Sequence, residues 1–80
     1  MQLKVILFGI AKDIVGNSRL DLSLNDGASI KALKEQLIAE YPEMGKLRSI
    51  AFAVDTDYVD DAYQLRDNEE IVIIPPVSGG

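Results

Sequence analysis

Eighty residues, 48% of them apolar, allow one small domain with a core and argue against disorder. Cysteine and histidine are both absent. That excludes disulfides, thiolate chemistry, the commonest metal ligand and the usual general base near neutral pH. The net charge is −5, and seven of the thirteen acids fall between Asp55 and Glu70, where Arg66 is the only base. Such a chain is a poor partner for nucleic acid, which needs clustered Lys and Arg. Its acidic segment either suits a basic protein partner or serves as a solubilising loop. No apolar run approaches the roughly 20 residues that span a membrane. Met1-Gln2-Leu3-Lys4 leads straight into an alternating pattern, without the layout of a signal peptide, so a cytoplasmic protein is expected.

From Gln2 to Phe8 the alternation predicts a strand, with Leu3, Val5 and Leu7 on one face and Lys4, Ile6 and Phe8 on the other. Gly9 interrupts it. Ile10 and Ile14 are spaced for a short helical turn that Gly16 would cap. Arg19 to Leu24 alternates again, with Leu20, Leu22 and Leu24 inward, and should pair antiparallel with the first strand. Asn25-Asp26-Gly27 reads as a turn and Ser29 as an N-cap. Ile30, Leu33, Leu37, Ile38 and Tyr41 then follow helical spacing until Pro42 forces a stop. Tyr41 to Lys46 reads as a loop, and Ser49 to Val54 as a strand. Asp55-Thr56-Asp57 is a turn, and Tyr58-Val59 a very short strand. Asp60 to Asn68 is an acidic connection anchored by Leu65, and Asp67 to Glu70 a tight turn. Ile71 to Ile74 is apolar throughout, as in a strand at the middle of a sheet.

This order predicts an α+β domain: a mixed four- to five-stranded sheet with one long helix packed on one face. A central first strand parallel to the last makes it a ubiquitin-like β-grasp. Residues 1–74 form the domain and residues 75–80 an extended Gly-Gly tail. One helix covers one face of the sheet, so Ile6 and Phe8 point to the other, near the end of the last strand at Ile74, with Tyr58 able to join them. Left open, that face is a protein-binding surface; the alternative is that loops or the short helix cover it.

Few residues are left to carry chemistry. Gly9, Gly16 and Gly27 lack phosphate-loop spacing, and Asp55, Asp57, Asp60 and Asp61 lack the glycine and closing glutamate of a calcium loop, so no metal is expected. No serine has an evident base. Tyr41, Tyr58 and Tyr63 read first as packing residues. What remains is Pro75-Pro76-Val77-Ser78-Gly79-Gly80. The prolines end the strand and stiffen the arm, which at full extension reaches roughly 20 Å. The side-chain-free glycines would let it enter a narrow channel. The Gly80 carboxylate becomes reactive toward a thiol, persulfide or amine once converted to an acyl adenylate. A frayed, idle terminus is the competing reading.

Across its whole length the chain resembles the small subunit of molybdopterin synthase, a ubiquitin-like sulfur carrier. The resemblance rests on Lys4-Val5-Ile6-Leu7-Phe8, the short helix ending at Gly16, the Ser29–Tyr41 helix with Pro42, Ala51-Phe52-Ala53-Val54-Asp55, and above all Ile73-Ile74-Pro75-Pro76-Val77-Ser78-Gly79-Gly80. Asp55 stands where the family often has asparagine, and Asn68-Glu69 where a Gly-Asp pair is frequent. The resemblance implies that Gly80 is adenylated by an ATP-dependent activating enzyme, with no cofactor bound to the chain itself. A sulfurtransferase then supplies sulfur for a thiocarboxylate. The tail (Pro75, Pro76, Val77, Ser78, Gly79) inserts into the large synthase subunit, in a heterotetramer whose large subunits hold the catalytic side chains. There Gly80 gives its sulfur to a pterin precursor of the molybdenum cofactor, while Phe8, Tyr58 and Ile74 match apolar partner contacts. Three alternatives stay open: a sulfur carrier for thiamine or tRNA thiolation, a protein modifier conjugated through Gly80, and a plain binding module.

Overall fold

The computed structural model describes residues 1–47 and 49–75. In chain order the elements are β1 (Gln2–Leu7), α1 (Gly9–Val15), β2 (Arg19–Ser23), α2 (Ile30–Glu40), a 3-10 helix (Pro42–Lys46), β3 (Ala51–Val54), β4 (Asp57–Val59) and β5 (Glu70–Ile74). The five strands form one mixed sheet in the order β2-β1-β5-β3-β4. β1 and β5 run parallel at its centre, with Leu7 opposite Ile73, and the other pairings are antiparallel. This is the β-grasp topology that the pattern predicts.

Alternation decides which face is inner. Leu3, Val5 and Leu7 of β1, Ile71 and Ile73 of β5, and Phe52 and Val54 of β3 are all buried, as are Ile30, Leu33 and Leu37 of α2. Together they form the core cluster, and each fully buried aliphatic side chain contributes about 1.5–3 kcal/mol. Ser29 is the N-cap: its hydroxyl accepts a hydrogen bond from the Ala32 amide at 3.3 Å. At the other end the Tyr41 amide donates to the Leu37 carbonyl at 2.7 Å before Pro42 stops the helix. Gly16 takes the left-handed conformation, φ 84°, and its amide donates to the Lys12 carbonyl, closing α1.

Several boundaries differ from the sequence expectations. Pro42 to Lys46 is a 3-10 helix rather than a loop, because proline suits a first helical position and Met44, 2% exposed, anchors the segment in the core. β3 begins at Ala51, not Ser49, and β2 ends at Ser23, with the Leu24 amide donating to the Met1 carbonyl. In α1 it is Ala11 that is buried; Ile10 is 49% exposed and Ile14 only partly covered. Leu65 anchors the acidic connection, as its isolated hydrophobicity suggests, and its amide donates to the Ala28 carbonyl at 2.8 Å. That connection is closed by Glu69, whose carboxylate accepts from the Tyr63 hydroxyl at 2.8 Å and the Arg66 amide at 2.7 Å.

Candidate functional site

Among the described residues, the sheet face turned away from α2 has no second layer of helix. The strand registers line up Arg19, Ile6, Val72, Ala53 and Tyr58 in a single row across all five strands. One step toward the base of the domain the row is charged, with Asp21, Lys4 and Glu70 side by side. One step the other way it is apolar, with Ile74 opposite Ala51. The face is therefore graded from charged to apolar, and its apolar end is where β5 runs out at Ile74-Pro75.

Phe8 follows β1 in extended conformation, φ −129° and ψ 161°, and keeps the alternation of Ile6 for one more residue. It is 55% exposed and Tyr58 is 71% exposed. Tyr58 is thus not a packing residue, although Tyr41 and Tyr63 do pack against the core. Ile74 is half-buried. These three residues share a face, and Ile74 and Tyr58 line one depression on it. Ile6 and Tyr58 sit three strand spacings apart, about 14 Å, and Ile74 lies between the Phe8 and Tyr58 strands. Around Tyr58 the face dips into an open depression of about 470 Å³, floored by Ala53, Val72 and Ile74 and rimmed by Asp55, Thr56 and Glu70. Sequence reasoning missed this rim. The acidic residues read as loop, and only the strand register brings Glu70 level with the β3–β4 turn.

That turn is itself unusual. Asp55 and Thr56 both have positive φ, 51° and 69°. Two such residues between paired strands fit a type I′ hairpin turn, whose twist matches that of the strands. Asn-Gly is the natural pair for it, and a β-branched threonine is strained there. Among the described residues, no group of three or more His, Cys, Asp or Glu could hold a metal ion, and no helix is long and apolar enough to cross a membrane.

The arm begins inside the described residues and continues beyond them. Pro75 is half-buried at the end of β5. Pro76, Val77, Ser78, Gly79 and Gly80, the insertion segment and reacting group read from the sequence, lie outside the described residues. What the fold does provide is their point of departure. β5 lies between β1 and β3 at the middle of the sheet, and it ends at Ile74, with Pro75 after it, at the apolar end of the open face.

Residues 5–80 match the model of the ThiS family. The chain is 36% identical to the molybdopterin synthase sulfur carrier subunit of Chlamydomonas reinhardtii, with 100% of both chains covered. It is 30% identical to the protein of the same name from Arabidopsis thaliana, covering 100% of this chain and 84% of that one. Among solved structures it superposes on small archaeal modifier protein 1 from Methanosarcina acetivorans with a TM-score of 0.79 and 26% identity, covering 99% and 96% of the two chains. It also shares its fold with a chain of the complex of subunits 1 and 2 of the molybdopterin-converting factor from Helicobacter pylori, at a TM-score of 0.69 and 23% identity with 100% of both chains covered. An α+β sheet of this topology, matched to the family model from Val5 through Gly80, makes the chain a member of the ThiS family, similar over its full length to molybdopterin synthase sulfur carrier subunits.

Proposed function

We propose that this chain is the sulfur carrier subunit of a cytoplasmic molybdopterin synthase. The observation that carries the reading is the whole-length similarity to proteins of that name, which extends through the Pro-Pro-Val-Ser-Gly-Gly ending. The geometry supports it: a central strand delivers the arm at the apolar end of a face that keeps Phe8 and Tyr58 exposed. In this reading residues 1–74 are the docking body and residues 75–80 the working tail. An ATP-dependent enzyme adenylates the Gly80 carboxylate. A sulfurtransferase persulfide attacks the adenylate and displaces AMP, and a second thiol then cleaves the resulting acyl disulfide, leaving the thiocarboxylate on Gly80 and a disulfide on the donor side. The large synthase subunit binds the open face through Phe8, Tyr58 and Ile74, receives the tail, and supplies the side chains that move sulfur to the pterin precursor. The chain is not catalytic alone, because its only reacting group is the one at Gly80.

A chain lacking Gly80 tests this directly. It should keep the melting temperature of the full chain, since the core cluster is built from residues between Leu3 and Ile73, yet give no pterin dithiolation when mixed with ATP, sulfur source, activating enzyme and large subunit. Normal dithiolation by the truncated chain would refute the reading.

One observation favours a second reading. The Methanosarcina acetivorans structure, at 26% identity, is named a small archaeal modifier protein. If this chain acts in that way, activated Gly80 is attacked by a lysine amine instead of a sulfur donor, and Gly-Gly remnants appear on lysines of other proteins after proteolysis.

A further inference from the structure

We propose that Gly9 is a positioning residue for the sulfur-bearing arm, acting through the ring of Pro75. This rests on the assignment of Gly80 as the reacting group and concerns how the body aims it. A Cβ built on Gly9 would come within 3.3 Å of the Pro75 Cγ, closer than ordinary van der Waals contact. The close approach follows from the register. Leu7 and Ile73 face each other across the parallel β1–β5 pair, and Gly9 and Pro75 each lie two residues further on.

At this point the sheet has lost its usual means of holding a strand. Proline has no amide to give to the ladder, so packing must take over where hydrogen bonding ends. The glycine side of the contact is firm. Gly9 has φ +54°, which turns β1 directly into α1. The helix is held by the Lys12 amide, which donates to the Phe8 carbonyl at 3.3 Å, and by Ala11, which is completely buried. The Pro75 side lies at the end of its strand, and it is the side that gives way when a methyl is added. A shift of a few tenths of an ångström at Pro75 changes the direction in which the chain leaves the sheet toward its reacting group. A misplacement of about 1 Å at a reacting group costs on the order of 100-fold in rate.

Alanine at φ +54° is strained whatever its neighbours, a cost to stability that is the same with or without the Pro75 ring, so rate and affinity are compared per folded molecule and should separate. With thiocarboxylated chain and saturating large subunit, Gly9→Ala should slow single-turnover sulfur transfer by roughly 10- to 100-fold while its Kd for the large subunit stays within about 2-fold. Removing the ring should remove the effect. Gly9→Ala/Pro75→Ala should run within about 3-fold of Pro75→Ala alone, a coupling that a general loss of fold does not produce. Wild-type transfer by Gly9→Ala, an equal loss in rate and affinity, or additive losses in the double variant would each overturn the proposal. A second readout needs no sulfur chemistry. In the free chain the Val77 amide resonance should move on Gly9→Ala but stay in place when the same change is made on a Pro75→Ala background. If wild-type chain transfers no sulfur while these shifts hold, the functional reading fails and the seat stands. If transfer is normal and Val77 does not move, the seat fails alone.

Discussion

Tyr58→Ala separates docking from folding. Tyr58 is 71% exposed in the free chain, so little of it supports the fold. A tyrosine carries roughly 200 Å² of side-chain surface, which leaves about 140 Å² free to be covered by a partner. If a well-packed interface covers two thirds of that, about 95 Å² leaves water, and at about 25 cal/mol per Å² the gain is about 2.4 kcal/mol. Alanine keeps a small share, so the expected loss is about 2 kcal/mol, or roughly 30-fold in Kd. The part of Tyr58 already covered within the chain amounts to roughly 60 Å², less than 1.5 kcal/mol by the same coefficient. Calorimetric titration of the large subunit into each variant measures the first quantity, and thermal unfolding the second. A Kd within 2-fold of wild type at unchanged melting temperature would show that the open face is not the dock. A melting temperature lower by more than about 10 °C would show that Tyr58 belongs to the fold.

Leu33→Ala empties a fully buried site on α2 and should cost about 2–5 kcal/mol, lowering the melting temperature by roughly 10–30 °C without changing the Kd per folded molecule. Thr56→Asn keeps the hairpin turn but relieves a β-branched residue at φ 69°, and denaturant titration should read about 0.5–1 kcal/mol of added stability. The Tyr63 hydroxyl is held above its ordinary value of 10.0, first by its hydrogen bond to Glu69, then by burial. A raised phenol favours the protonated folded state. Its contribution is therefore complete below pH 10 and lost as pH rises through the folded value. Unfolding followed against pH should show this decline in wild type and not in Tyr63→Phe.

The fold was legible because its signals are short-range. β1 alternates cleanly, Ser29 and Pro42 bracket α2, Gly16 closes α1, and the all-apolar Ile71–Ile74 run marks a central strand. From those same faces the sequence places Phe8 and Ile6 opposite the helix. What it could not give depends on register. Tyr58 reads both as a packing tyrosine and as a candidate member of the open face until pairing with Ala53 decides for the face. Glu70 reads as part of a turn until parallel pairing places it beside Lys4, at the rim of the depression. Gly9 looked like a simple interruption, because its neighbour Pro75 lies 66 positions away and only the parallel strands bring them together. The Pro42–Lys46 segment carries one buried anchor, Met44, too little periodicity to distinguish a 3-10 helix from a loop.

The central claim is that Gly80 carries sulfur. Intact-mass analysis of the protein purified from its native host, with fragmentation to locate any change, tests it most directly. The account predicts a fraction of chains in which one terminal oxygen of Gly80 is replaced by sulfur, increasing when the large subunit is absent and sulfur cannot be discharged. Chains bearing only an ordinary carboxylate, alongside lysines of other proteins carrying its Gly-Gly remnant, would contradict it.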